Sequence, residues 1–345
     1  MHIIFSDLDN TLLFSSKEKI TDIENIDSGI LCVEKKNNKE IGFMSFLSST
    51  RMHYILTNSY FIPCTARNIE QTMRIEFLQD GMNFLPIVIC DAGGSIYFNK
   101  GINKGGKEIN KTKNNNLKNN LENILENFEQ YQKYSNYLKE ITNSKITRKI
   151  FKDIKLKFSK KFLKNDLNNN LKNKEVTSLK YSNHLISIAF KDHEILLKNE
   201  PLIVDIVKKI KRNNNTTTDY VIERNKEDGR KLYIHDEKIN KNTAVNFLKK
   251  ELLDAFNKIQ LQNQNKKQQD QQKDKKETIT FVTAGDSMMD EAFLSYGDIQ
   301  IVPNQSELGE YLKNKTMIFK NDALIFSNSV VNEFLKILLK EKDSL

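Results

Sequence analysis

Tryptophan is absent from the 345 residues of this chain, and that absence constrains nothing. The scarcity of cysteine excludes more. Cys32, Cys64 and Cys90 are odd in number and widely spaced, which leaves no disulfide framework and no zinc pattern. They read as small core residues of a reducing compartment. Long apolar runs are missing as well. No segment approaches the ~20 apolar residues of a membrane span. The first apolar run, Ile3 to Phe5, is far too short for a secretory leader and meets Asp7 and Asp9 at once. A soluble, cytoplasmic protein with no membrane partner is the expectation. Apolar residues make up only 38% of the chain, low for a globular protein. Part of that deficit lies in Asn/Lys/Gln-rich tracts, so the packed portion is richer than the average. The same tracts explain the formal charge of +9. A basic chain attracts anionic ligands and nucleic acid, but these tracts lack interleaved aromatics, which ranks nucleic acid last among partners.

What is present is concentrated at the start. Ile3-Ile4-Phe5 reads as a buried strand that opens into a loop at Asp7-Leu8-Asp9-Asn10-Thr11. In open α/β sheets, chemistry collects at the carboxyl ends of strands. Two acids crowded there repel unless a cation or a shared proton relieves them, and a hard divalent cation takes oxygen ligands of this kind. The plainer reading is an Asx-type turn, with Asp9 and Asn10 bonding their own backbone.

Further along, Gly29–Glu34 and Glu40–Met44 read as a β-hairpin, Leu47–Leu56 as a helix and Tyr60–Cys64 as a second strand ending in Thr65-Ala66-Arg67. Thr65 can donate to a phosphoryl oxygen beside a helix N-terminus or merely cap the helix from about Asn68. Arg67 suits bidentate capture of a phosphate and equally a surface salt bridge. Pro86–Cys90 is a third buried strand, followed by a tight turn through Gly93 and Gly94. Composition then shifts. Leu117, Leu121, Ile124, Leu125, Phe128, Tyr131, Leu138 and Ile141 form one helical stripe. Strands follow at Val176–Tyr181, Leu185–Phe190 and Tyr220–Glu223, with a helix near Leu202–Ile210. Residues 99–235 therefore read as a separate α+β module, and the chain is long enough for two domains. Lys241 opens an amphipathic helix, where a positive charge opposes the dipole; a solvated lysine is the plain alternative. Residues 261–277 carry no apolar periodicity and read as a disordered loop. Thr278–Thr283 is a strand ending in Gly285-Asp286, with Asp286 as a helix cap and Asp290 one turn on, two carboxylates able to aim at one cation. Asp298–Pro303, Met317–Phe319 and Ala323–Phe326 add strand pieces, and a helix from Val330 closes the core.

Four of these pieces, in order, resemble the motifs of the haloacid dehalogenase (HAD) superfamily. They are Asp7-Leu8-Asp9-Asn10-Thr11 (DxDxT), Thr65, Asn240-Lys241-Asn242-Thr243-Ala244 and Gly285-Asp286-Ser287-Met288-Met289-Asp290 (GDxxxD). Asn242 stands where the family's third motif often has glycine, a mild departure because asparagine tolerates left-handed backbone. The likeness covers residues 1–98 and 229–330; the middle module matches only by its position, that of a C2-type cap, and is similar to sucrose-phosphate and mannosyl-phosphoglycerate phosphatase-like members. The resemblance implies an α/β fold, a Rossmann-like parallel sheet core over 1–98 and 236–345, with an inserted α+β cap over 99–235.

By the same resemblance, the protein is a Mg²⁺-dependent phosphatase of small phosphorylated metabolites, sugar phosphates foremost. Asp7 would be the nucleophile, Asp9 the acid and base, and Thr65 and Lys241 the holders of the transferring group, with Arg67 an added substrate contact. Asp7, the Asp9 backbone carbonyl, Asp286 and Asp290 would surround the metal, and the cap would exclude water and read the leaving group. A phosphomutase and a weakly active, stress-associated binding protein are the alternatives.

Overall fold

The computed structural model describes residues 1–17, 20, 29–101, 124–163, 175–182, 184–224, 229–267, 278–316 and 323–343. They form two compact units, one from Met1–Tyr131 with Lys241–Leu345 and one from Gln132–Asn240.

The first unit is built on β1 (His2–Ser6), whose five residues are all buried. A strand hidden on both faces can be apolar throughout, which is the mark of a parallel sheet. The hairpin follows, β2 (Ile30–Lys36) and β3 (Lys39–Ser45), joined through Asn37 and Asn38. Both asparagines take positive φ, 51° and 62°, as a two-residue hairpin turn requires. The helix Phe46–Asn58 is capped by the Ser45 hydroxyl, which accepts from the Ser48 N–H at 3.1 Å. Then come β4 (Tyr60–Pro63), β5 (Ile87–Cys90), β6 (Ser95–Asn99) and β7 (Phe128–Gln130).

The second unit holds β8 (Val176–Ser182), β9 (Leu185–Phe190), β10 (Tyr220–Arg224) and β11 (Lys231–Asp236), an antiparallel sheet in the order β10-β11-β9-β8. Its core joins Ile186, Ile188, Leu232 and Ile234 of the sheet to Ile146, Ile150, Ile154 and Phe158 of the helix Ser144–Leu163. Ile203, Val207 and Ile210 of the helix His193–Asn213 complete it.

The chain returns to the first unit with the helix Lys241–Lys267, then β12 (Thr280–Ala284), β13 (Ile299–Pro303) and β14 (Leu324–Ser327). The main sheet runs β14-β13-β12-β1-β4, with every pair parallel. This is the expected α/β class. The final helix, Val330–Asp343, sets Phe334 edge-on against Phe61 of β4, ring centroids 6.4 Å apart. No helix among the described residues is long and apolar enough to cross a membrane.

Four expectations need amendment. The stripe from Leu117 to Ile141 is not one helix. Residues 128–130 leave the helical path to pair with β6, Asn99 opposite Phe128 and Tyr97 opposite Gln130, so tertiary pairing overrides the local period. A second helix starts only at Gln132, and Leu117 and Leu121 lie outside the described residues. Because β7 belongs to the first unit, the second compact unit spans Gln132–Asn240 rather than 99–235. The run 261–277 is not a loop throughout: residues 261–267 continue the preceding helix, and 268–277 lie outside the described residues. Gln and Lys are good helix formers, and no Gly or Pro interrupts 241–267. Two helices escaped the sequence reading, Ser144–Leu163 and Glu307–Thr316. Met317–Phe319 lies outside the described residues.

Candidate active site

The register of the parallel sheet brings the motifs to one edge. Ser6 lies opposite Ala284 of β12 on one side and Pro63 of β4 on the other. The next residues therefore emerge together: Asp7 after β1, Gly285-Asp286 after β12, Cys64-Thr65 after β4. Backbone hydrogen bonds fix that end, with the Asp7 N–H donating to the Ala284 carbonyl at 2.9 Å and the Cys64 N–H to the Ser6 carbonyl at 2.7 Å.

Lys241 joins them from the first position of its helix. Its Nζ donates to Asp7 Oδ1 at 2.6 Å and to Asp290 Oδ1 at 2.7 Å, and all three side chains are buried. A buried ammonium is costly unless paired, and here two carboxylates flank it. Burial works against its charge, but Asp290 and Asp7 outweigh that and raise its pKa, so it stays protonated.

One carboxylate oxygen from each of Asp7, Asp286 and Asp290 lies within 4.8 Å of the others. Burial, then the charges of Asp290 and Asp9, push the Asp7 carboxyl up to about 7 despite the lowering effect of Lys241. Burial together with Asp7 and Asp290 drives Asp286 well above the usual carboxylate range. Three acids crowd one lysine, a repulsion that a proton or a cation relieves, and the donors are all hard oxygens. That set suits a cation such as Mg²⁺ or Ca²⁺ and gives a soft metal nothing to bind.

The 285–290 turn differs from the expected helix cap. Asp290, not Asp286, stands at the cap position of the short helix Glu291–Leu294. Its Oδ2 turns back to accept from the N–H groups of Asp286 at 3.2 Å and Ser287 at 3.1 Å, and from the Ser287 hydroxyl at 2.8 Å. Gly285 permits this packing, since a Cβ there would fall 2.5 Å from the Asp290 Cβ. Asp290 thus shapes the loop that presents Asp286, and Asp286 Oδ1 accepts from the Thr11 hydroxyl at 3.2 Å.

Thr65 is buried, and its Oγ1 accepts from the Arg67 N–H at 3.1 Å; Asn68, not Thr65, caps the next helix. The segment is held from the other side by a strained turn. Asp91, Ala92 and Gly93 take positive φ in succession, and the N–H groups of Asp91 and Ala92 donate to the carbonyls of Arg67 and Thr65. The expected glycine turn is therefore also a left-handed alanine, a conformation that costs roughly 1–2 kcal/mol for a residue with a Cβ.

Arg67 and Asp9 form a pair that stands apart from the three-acid cluster. Arg67 Nε donates to Asp9 Oδ2 at 2.8 Å and Nη2 to Asp9 Oδ1 at 2.5 Å, a bidentate clamp. Its Nη1 donates to Glu34 Oε2 at 2.7 Å. All three guanidinium nitrogens are thus on carboxylates, so of the two expectations for Arg67 the salt bridge is the one seen, partly buried. The Asp9 side chain likewise points to Arg67, which leaves only its backbone carbonyl for a metal role. Glu34 is the member sequence reading missed. In Val33-Glu34-Lys35 it reads as a solvent-facing hairpin residue, and nothing local marks it as buried.

No protein-family model matches the chain, and no curated protein does. Solved structures do. Three of them are sugar phosphatases or proteins related to them. The sucrose-phosphatase from Synechocystis sp. PCC6803 is 10% identical, with a TM-score of 0.48 over 98% of this chain and 96% of that one. A HAD subclass IIB sugar phosphatase is 12% identical, with a TM-score of 0.44 over 98% and 99%. A trehalose-6-phosphate phosphatase related protein is 13% identical, with a TM-score of 0.41 over 92% and 97%. These likenesses are distant, so the reading of the site stands on its own geometry.

Proposed function

We propose that this protein is a HAD-type, Mg²⁺-dependent phosphatase that hydrolyses small phosphorylated metabolites, sugar phosphates foremost, through a phosphorylated Asp7. The observation that carries this reading is the convergence of Asp7, Asp286 and Asp290 within 4.8 Å, with Lys241 bound to two of them. A structural salt bridge needs two groups, whereas this site gathers three acids around one lysine, with Asp7, Asp290 and Lys241 buried.

Asp7 and Asp286 would hold the cation, with the Asp9 carbonyl, while Asp290 braces the loop. Bound there, Mg²⁺ supplies the positive charge that lets a phosphate approach a carboxylate. Asp7 attacks phosphorus, and the bond to the leaving oxygen breaks as the Asp7–phosphorus bond forms. Asp9, carrying the proton taken from water in the preceding turnover, gives it to the leaving oxygen and returns as a carboxylate to the Arg67 clamp. Water then attacks the phosphoryl group, Asp9 takes the proton back, and the Asp7 carboxylate is released with inorganic phosphate. The Thr65 hydroxyl and Lys241 Nζ hold phosphoryl oxygens, where charge gathers in a loose transition state. Burial drives the Cys64 and Cys90 thiols well above their ordinary range, which suits inert core thiols in the cytoplasm.

The test is phosphate release from a panel of hexose phosphates and other small phosphate esters, with Mg²⁺ and with EDTA. We expect release with Mg²⁺, loss with EDTA and recovery on adding Mg²⁺ back. Release indifferent to EDTA removes the metal, and an isomeric sugar phosphate in place of free phosphate makes the protein a mutase.

A further inference from the structure

Glu34 is a carboxylate in a costly place. Its side chain is 1% exposed, and its neighbours Val33, Phe43 and Met44 are buried apolar residues. Unpaired, a carboxylate there costs several kcal/mol. The hairpin is shaped to admit it. Gly42 lies opposite, and a Cβ at that position would sit 2.9 Å from the Glu34 Cβ and 3.2 Å from Oε2. The β2–β3 register shifts on both sides of Glu34, an irregularity of the kind that re-aims a side chain.

The carboxylate is divided between two arginines. Oε1 faces Arg74, accepting from Nε at 3.1 Å with Nη2 at 3.0 Å, and Oε2 accepts from Arg67 Nη1 at 2.7 Å. Asp9, Arg67, Glu34 and Arg74 therefore form one connected chain of two acids and two guanidiniums. A guanidinium is planar and rigid, so fixing Nη1 fixes the edge formed by Nε and Nη2. That edge is the one that grips Asp9.

We propose that Glu34 is a positioning residue: by holding Nη1 of Arg67 it sets the guanidinium edge that orients Asp9 for proton transfer at the leaving oxygen. The inference rests on the phosphatase reading above. It makes the hairpin part of the catalytic apparatus without any contact between Glu34 and substrate.

A role confined to anchoring the hairpin would lower all activity alike. A role through Asp9 depends on the leaving group, because a sugar alkoxide needs a proton and 4-nitrophenolate hardly does. The experiment compares wild type, Glu34→Gln, Asp9→Asn and the double variant on a hexose phosphate and on 4-nitrophenyl phosphate. Glu34→Gln is expected to lose about tenfold more kcat/KM on the hexose phosphate than on 4-nitrophenyl phosphate, a fraction of the usual worth of general acid catalysis. In the Asp9→Asn background the selective loss should vanish. Equal loss on both substrates, no loss, or a selective loss that persists without Asp9 overturns the inference while leaving the phosphatase reading intact. If wild type releases phosphate from neither substrate in Mg²⁺, both fall together. Should Glu34→Gln fail to fold, Glu34→Asp keeps the charge but withdraws the carboxylate from Arg67, and the same outcomes decide.

Discussion

Lys241 is positively charged where a helix N-terminus is positive too, and it is buried. Each condition disfavours it. Asp7 and Asp290, at 2.6 and 2.7 Å, make the placement tolerable. The reverse also holds: the acids could not crowd so closely without it. The Asp7 oxygen that binds Lys241 belongs to the proposed nucleophile. Asp7→Asn should therefore remove at least about 10³-fold of the turnover, as loss of a nucleophile does. The variant should stay folded, because the amide keeps the shape and relieves repulsion. Steady-state assays beside thermal melting check this, and turnover within a few-fold of wild type would end the assignment.

Among the elements, strands that carry chemistry were legible because a parallel strand is apolar along its whole length and stops abruptly at its polar end. His2–Ser6 and Thr280–Ala284 have apolar centres, Ile3 to Phe5 and Phe281-Val282, and both are buried nearly throughout. Helices hidden under lysine were not legible. Ile146, Ile150, Ile154 and Phe158 keep a strict four-residue spacing, yet the lysines between them mask the stripe. The Glu34–Arg67 contact was illegible for another reason: it joins residues 33 apart through a hairpin irregularity that no local pattern encodes. In the second unit, β11 offers a test of its own. Burial opposes charge on His235, but Glu223 at 3.7 Å and the Asp236 carbonyl outweigh it and raise its pKa above the ordinary value. A histidine raised in the folded state adds stability that is complete below its unfolded pKa and is lost as pH rises through the folded one. Glu223→Gln should thus destabilise the protein most in mild acid, with the difference shrinking as pH rises. Denaturation at a series of pH values, with an NMR titration of the His235 ring, reads both quantities; a His235 pKa below its ordinary value would contradict the pairing.

At the scale of the whole molecule, the acids come from opposite ends of the chain: Asp7 lies near its start, and Asp286 and Asp290 beyond a 109-residue compact unit. Neither end forms the site alone, since β1 pairs with β12 only in the folded sheet. Phosphoryl transfer would therefore depend on the intact first unit, and denaturant should abolish turnover and unfold the main sheet in one step. The most direct measurement is mass spectrometry of the Asp9→Ala protein after incubation with Mg²⁺ and 4-nitrophenyl phosphate, whose leaving group needs little protonation. The account predicts the mass of one added phosphoryl group, carried by the peptide that contains Asp7 and absent from the Asp7→Asn protein. A phosphoryl group on any other residue, or none on either protein, would contradict it.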